Sequence, residues 1–358
     1  MKGTQRLQEL GQSIWLDNIT RDLLNNGTLK QYIDDFSVTG LTSNPTIFDH
    51  AIKNSATYDA DIRQNHGRSP EDVWLELALS DLRRAAELLR PVNDATNGVD
   101  GWVSIEVSPL LAHDTALTLA SVEDISKRAN CSNLYIKIPG TKEGVPAIEE
   151  ATFRGIPINV TLLFSREQYM AAADAYLKGI ERRIAAGLNP EVPSVASVFI
   201  SRWDVAVANK VSPASRDKLG IAIAKRTYAA ASALLSSNRC RRLYNFGARP
   251  QRLLWGSTGT KNPSAPKTLY AKALAAPFTV NTMPDETLKA LAADSEPIEV
   301  LPADGGNSEQ VLADFAKEGI DVDALAAQLQ DEGAKSFVNS WNDLMKLISS
   351  KSVSLKAS

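Results

Sequence analysis

Ser13-Ile14-Trp15-Leu16-Asp17-Asn18-Ile19-Thr20 is a short apolar run that enters a turn without a single glycine. Its reading decides the fold, because short apolar runs alternate with longer helical patterns along most of the chain. The strand candidates are residues 13–17, 37–44, 102–107, 134–139, 157–161, 195–200, 252–257 and 278–282. Strands separated by helices call for a parallel sheet, either closed into a barrel or open and doubly wound. An open dinucleotide-binding sheet carries glycines directly after its first strand, where the backbone must approach a pyrophosphate. Asp17-Asn18-Ile19-Thr20 has none, and the reading is a closed α/β barrel.

Helix starts are legible between the strands. Ser69-Pro70 supplies an N-cap and a first-turn proline ahead of Leu75, Leu79, Leu82, Ala86 and Leu89 on one face. Ser165 with Gln168 makes a capping box, and Asp114 caps a helix expected through Ser126. Beyond residue 294 a turn-rich stretch containing Asp304-Gly305-Gly306 leads to two further helical patterns, the last bearing Phe337, Trp341, Leu344, Met345 and Ile348. We read one domain over 1–358: a barrel core over about 10–295, extra helices over about 308–349, and a polar tail over 350–358.

Composition narrows the function. Lys and Arg number 39 against 42 Asp and Glu, a net charge of −3, which excludes nucleic-acid binding through bulk positive charge. No apolar run approaches the ~18 residues of a membrane span. The first residues, Met1-Lys2-Gly3-Thr4-Gln5-Arg6, precede no apolar stretch of a secretory signal. Cys131 and Cys240, with His50, His66 and His113 far apart, offer neither a metal-ligand spacing nor a disulfide framework. A soluble, reduced, cytoplasmic protein without a metal is the expectation.

Strand parity then sorts the polar residues. With Val103, Ile105 and Val107 facing the helices, Trp102, Ser104 and Glu106 face the barrel interior. Leu134, Ile136 and Ile138 face outward, leaving Tyr135 and Lys137 inside. The same test turns Trp15, Asp17, Asn159 and Thr161 inward and puts Thr42 and Asn44 on one face. These polar residues cluster at the C-terminal ends of strands, where barrel enzymes carry their chemistry. A satisfied structural ion-pair network is the plainer alternative. Asp17 could cap a helix, and Asn44 before Pro45 could be a turn residue. Agreement across five strands favours function, since burying so many polar groups is costly unless they are paired or used. A lysine between Ile136 and Ile138 would favour its neutral amine, the nucleophile that adds to a carbonyl. The resulting imine is an electron sink for carbon–carbon cleavage, with two carboxylates to move the protons.

The chain resembles the transaldolase family in five ordered segments: Trp15-Leu16-Asp17-Asn18, Thr42-Ser43-Asn44-Pro45-Thr46, Ser104-Ile105-Glu106-Val107, Tyr135-Ile136-Lys137-Ile138-Pro139-Gly140-Thr141 and Ile158-Asn159-Val160-Thr161-Leu162-Leu163-Phe164-Ser165. The resemblance implies a (β/α)8 TIM barrel without metal or organic cofactor. It implies transfer of a dihydroxyacetone unit between sugar phosphates, as in the pentose phosphate pathway. Lys137 matches the imine-forming lysine and Asp17 the acid/base at the substrate hydroxyl. Glu106 matches the carboxylate that relays protons through a water that Thr161 positions. Asn44 and Asn159 match residues that hold the dihydroxyacetone unit. Ser197 and Arg202 align with a serine beside the substrate and an arginine on its phosphate.

After the seventh strand, Gly256-Ser257-Thr258-Gly259-Thr260-Lys261 suits a phosphate, because small residues let backbone N–H groups approach. Many family members carry an arginine just after this serine; here Lys261 is the substitute cation, a point charge rather than a fork. The loop is no nucleotide-binding loop, since G-x-x-G-x-K followed by Asn262-Pro263 fails the required spacing and terminal hydroxyl. Asp204 is an alternative ion partner for Arg202. Two rival functions stand beside the transferase: an aldolase that cleaves fructose 6-phosphate and passes the fragment to water, and a sugar-phosphate-binding barrel without turnover. Small sugar phosphates are the expected partners of a monomer or homodimer.

Overall fold

Eight strands form where the apolar runs lie: β1 (Ser13–Leu16), β2 (Val38–Leu41), β3 (Val103–Glu106), β4 (Leu134–Pro139), β5 (Ile158–Leu163), β6 (Ser194–Phe199), β7 (Arg252–Gly256) and β8 (Val280–Met283). The computed structural model describes residues 1–356. The strands pair in parallel in the order β2-β1-β8-β7-β6-β5-β4-β3. Between β2 and β3 the seam is held by a parallel bridge from Gly40 to Trp102. Leu41 N donates to Trp102 O at 2.9 Å there, and Gly101 N to Thr39 O at 2.8 Å. The sheet thus curls into a (β/α)8 TIM barrel with additional C-terminal helices.

Strand ends depart from expectation for local reasons. Ser37 and Phe278 take left-handed φ values of 58° and 64°, so β2 and β8 begin only after them. At the other end of β2, Asn44 has become the N-cap of the helix Pro45–Asn54. Past Thr161, β5 continues through a bulge at Leu162, whose φ is 57°. The caps read from sequence form: Asp72 N donates to Ser69 Oγ at 3.1 Å, Gln168 N to Ser165 Oγ at 3.1 Å and Leu117 N to Asp114 Oδ1 at 2.9 Å. The helix begun by Asp114 runs past Ser126 to Ala129, stopped by left-handed Asn130.

Alternation along the strands separates two cores. Ile14, Leu16, Val103, Ile105, Ile136, Ile138 and Val160 point outward and join the apolar faces of the surrounding helices. Trp15, Trp102, Tyr135, Val195, Leu254 and Val280 point inward as one apolar layer, with Trp102 and Tyr135 stacked at 4.2 Å. Towards the strand starts the interior is plugged by Arg252 and Asp100, 3.6 Å apart, and Trp15 Nε1 donates to Asp100 Oδ1 at 3.0 Å.

The helix Val322–Ser354 lies against the helices Pro45–Asn54 and Pro70–Ala95. Gln330 Nε2 on it donates to Gly140 O at 3.0 Å and Leu162 O at 2.9 Å, tying it to the ends of β4 and β5. Trp341 packs edge-on against Trp74 at 4.7 Å. This helix persists to Ser354, so the polar tail expected over 350–358 is helical in its first part; residues 357 and 358 lie outside the described residues. Among the described residues no helix is long and apolar enough to cross a membrane.

Gly40 sits beside Trp15 in the β1–β2 register, and a Cβ there would lie 2.6 Å from Trp15 Cε2 and Nε1. Gly40→Ala should displace the inner aromatic layer and cost about 1–3 kcal/mol of stability. Chemical denaturation checks this; an unchanged midpoint would contradict the packing described.

Candidate active site

Register alone brings the central residues together. Across β3 and β4 Glu106 stands opposite Lys137, and across β4 and β5 Lys137 stands opposite Asn159. Lys137 Nζ lies 3.1 Å from Glu106 Oε2, with the two side chains only 6% and 2% exposed. The same nitrogen donates to Ser43 O at 3.0 Å, and Ser43 Oγ donates to Ser104 O at 2.7 Å. Asn159 Nδ2 donates to Ser104 Oγ at 3.3 Å, while Ser197 Oγ donates to Asn159 Oδ1 at 2.7 Å. Lys137, Glu106, Asn159 and Ser197 therefore form one cluster inside the barrel. Its flanking isoleucines face outward, as strand parity required, and on the interior side the lysine meets the Glu106 carboxylate in direct ionic contact rather than a largely apolar surround.

Burial pushes the Glu106 carboxyl above its ordinary range, opposed by the adjacent Lys137 ammonium and by the positive charge of Arg202; Asp17 adds to the upward push. Both Glu106 oxygens and Thr161 Oγ1 are buried without a hydrogen-bond partner in the protein, the Lys137 contact being ionic rather than a well-angled hydrogen bond. Orphaned buried oxygens are rare, and these suit a site completed by a bound molecule.

Asp17 is not a helix cap. Thr20 takes that role, accepting from Leu23 N at 3.0 Å, and Asn18 Nδ2 donates to Asp285 Oδ2 at 2.7 Å. The Asp17 carboxylate accepts from Thr42 Oγ1 at 2.8 Å, and Thr42 in turn shares a hydrogen bond with Thr282 at 2.7 Å. Asn44 does cap a helix, its Oδ1 accepting from Ile47 N at 3.0 Å. That commits its oxygen and leaves its amide N–H groups to donate elsewhere.

Asp17, Asn44, Arg202, Ser257 and Lys261 line one cavity of about 680 Å³. The Arg202 guanidinium sits 5.0 Å from the Phe199 ring centroid and 5.6 Å from that of Phe337, with no carboxylate partner among the described residues. Asp204 is not its ion partner; that carboxylate is buried and accepts from Leu219 N, Gly220 N and Tyr270 Oη. Lys261 is exposed and likewise unpaired among the described residues. Ser257, at a φ of 54°, shares a hydrogen bond with Ser201 Oγ at 3.0 Å. Two cations without a salt bridge among the described residues, in a cavity that Asp17 and Glu332 also line, suit an anionic ligand.

Some contributors escaped sequence reasoning. Ser43 acts through its carbonyl, which no side-chain pattern reveals. Phe337 was read as packing alone, yet its ring covers Arg202. Gly333 offered a signal as an isolated glycine within a helical pattern: a Cβ there would lie 2.9 Å from Leu162 Cδ2 and 3.1 Å from Arg202 Nη1.

Residues 14–348 match the family described as Transaldolase/Fructose-6-phosphate aldolase. The chain belongs to that family. It is 41% identical over 354 residues to a protein of Saccharopolyspora erythraea named Transaldolase, covering 96% of each chain. A Transaldolase of Thiobacillus denitrificans is 41% identical, covering 97% of this chain and 100% of its own. One of Thermobifida fusca is 42% identical, covering 95% and 96%. Relatives of that name over nearly the full length of both chains support a transaldolase, a transferase enzyme.

Lys137→Met should leave Glu106 buried without its cation and destabilise the fold by about 3–5 kcal/mol near neutral pH. A carboxyl whose folded pKa is raised binds its proton more tightly folded than unfolded, so its stabilising effect is lost as pH rises through the folded value. The melting temperature of Lys137→Met should therefore fall relative to Lys137→Met/Glu106→Gln as pH rises above the ordinary carboxylate range. Parallel pH profiles for the two variants would contradict the pairing.

Proposed function

We propose that this enzyme transfers a dihydroxyacetone unit from fructose 6-phosphate or sedoheptulose 7-phosphate to glyceraldehyde 3-phosphate or erythrose 4-phosphate through an imine on Lys137. The observation that carries this reading is the 3.1 Å contact between Lys137 Nζ and Glu106 Oε2 inside the barrel. Passing a proton from the ammonium to this carboxylate, whose burial favours its neutral form, converts two buried charges into two neutral groups. The free amine then adds to the ketose carbonyl, and loss of water gives the protonated imine. Asp17 removes the proton of the hydroxyl beyond the bond to be broken. The carbon–carbon bond cleaves, its electron pair flows into the imine as an enamine, and the aldehyde leaves. Addition of the enamine to the second aldehyde reverses these steps, and hydrolysis, with protons relayed by Glu106 and a water held by Thr161, frees the lysine.

Asn44 and Asn159 would hold the hydroxyls of the transferred unit, Asn159 being oriented by Ser197. Arg202, Ser257 and Lys261 would bind the phosphate. No metal or organic cofactor enters these steps. Two free cysteines, Cys131 and Cys240, agree with a cytoplasmic setting.

Borohydride treatment with fructose 6-phosphate followed by peptide mass mapping should place the reduced adduct on Lys137. An adduct elsewhere, or none, would refute the assignment. Lys261→Ala should raise KM for fructose 6-phosphate with little change in kcat; a lowered kcat at unchanged KM would remove Lys261 from the phosphate site.

A further inference from the structure

The two unpaired cations of the cavity come from separate segments: Arg202 from the short helix Ser201–Val207 after β6, Lys261 from the loop between β7 and the helix Leu269–Ala273. Neither segment belongs to the strand framework, so something must fix the distance between them. Asp204, one half-turn beyond Arg202, is only 5% exposed. Its Oδ1 accepts from Leu219 N at 2.9 Å, and its Oδ2 accepts from Gly220 N at 3.2 Å and from Tyr270 Oη at 2.8 Å. Tyr270 lies just past the far end of the Lys261 loop. A buried carboxylate with three donors, touching neither Arg202 nor Lys261, thus joins the Arg202 helix to the start of the helix Leu219–Leu235 and to the helix Leu269–Ala273 that follows the Lys261 loop.

Further contacts reinforce this frame. Ser201 N donates to Ser257 O at 3.0 Å, binding the start of the Arg202 helix to the start of the loop. Asn262 Nδ2, adjacent to Lys261, donates to Asp217 Oδ2 at 2.6 Å, in the segment leading to Leu219. There is no slack at Gly220, where a Cβ would lie 2.6 Å from Ile200 O and 2.8 Å from Asp204 Oδ2. Asp204, Tyr270 and Lys261 also line a second cavity of about 440 Å³, so Lys261 stands in the wall between the two spaces. Burial pushes the Asp204 carboxyl up to about 6, against the lowering effect of its three hydrogen bonds.

We propose that Asp204, through Tyr270, is the positioning residue that sets Arg202 and Lys261 to face one phosphate, and thereby selects phosphorylated over unphosphorylated ketoses. This rests on the reading of the cavity as the phosphate end of the Lys137 site. Asp204 does not touch the substrate; it acts by holding two loops in register, a geometry to which bound anions are sensitive at the ångström scale.

The test compares fructose 6-phosphate with fructose, which has the same carbonyl and no phosphate, on Asp204→Asn and Tyr270→Phe. Tyr270→Phe deletes one bond and carries the test should Asp204→Asn fail to fold. KM for fructose 6-phosphate should rise about tenfold with kcat moving less than about threefold, and the kcat/KM ratio of fructose 6-phosphate to fructose should fall about tenfold. Equal losses on both substrates, or an unchanged ratio, would overturn the proposal by showing a merely structural role. Borohydride trapping with fructose 6-phosphate separates the two levels. Label absent from Lys137 in the unmodified enzyme overturns the site reading, whereas label on Lys137 with an unchanged ratio overturns the positioning role alone.

Discussion

A single buried ion pair, Lys137 with Glu106 at 3.1 Å, governs the design of this barrel. Each charge alone would cost several kcal/mol in such a place, and only a partner held at fixed geometry makes it tolerable. That geometry is supplied by backbone pairing, since the register of β3 on β4 sets the two residues opposite one another. What lies around the pair keeps the register from slipping. An aromatic layer fills the barrel on one side, the Arg252–Asp100 plug supports that layer, and the carbonyl of Ser43 accepts a hydrogen bond from the lysine.

The cavity works on the opposite principle. Inside the barrel Lys137 is paired with Glu106 and Arg252 with Asp100, whereas Arg202 and Lys261 make no salt bridge among the described residues. The neighbouring carboxylate that could have neutralised Arg202 is turned into the protein and bonded to two backbone amides and a tyrosine. Aromatic rings flank the guanidinium without quenching its charge. The C-terminal helix completes this space with Gly333 and Phe337, so a segment distant in sequence contributes to the site's shape.

Much of the architecture was legible because β-strand parity is a strict period of two. Once Val103, Ile105, Ile136 and Ile138 are assigned outward, Glu106 and Lys137 have nowhere to point but inward. Caps were equally readable where a side chain performs them, as at Ser69 and Ser165. Strand ends were not, because they depend on left-handed residues such as Ser37 and Phe278, types that give no warning of positive φ. Nor could parity show that Lys137 and Glu106 touch, since it fixes a face and leaves the stagger between strands open. Parity therefore put Lys137 and Glu106 in one interior without revealing their direct contact. The role of Asp204 was hidden in the same way: a carboxylate two residues from an arginine reads as its partner until the fold turns it elsewhere.

The most direct measurement is a crystal structure of the enzyme soaked with fructose 6-phosphate and cooled within seconds. Our account predicts continuous density from Lys137 Nζ to the former carbonyl carbon, with the phosphate between Arg202 and Lys261. Sugar bound in the barrel with the lysine still paired to Glu106 and no covalent link, or a phosphate seated elsewhere, would contradict it.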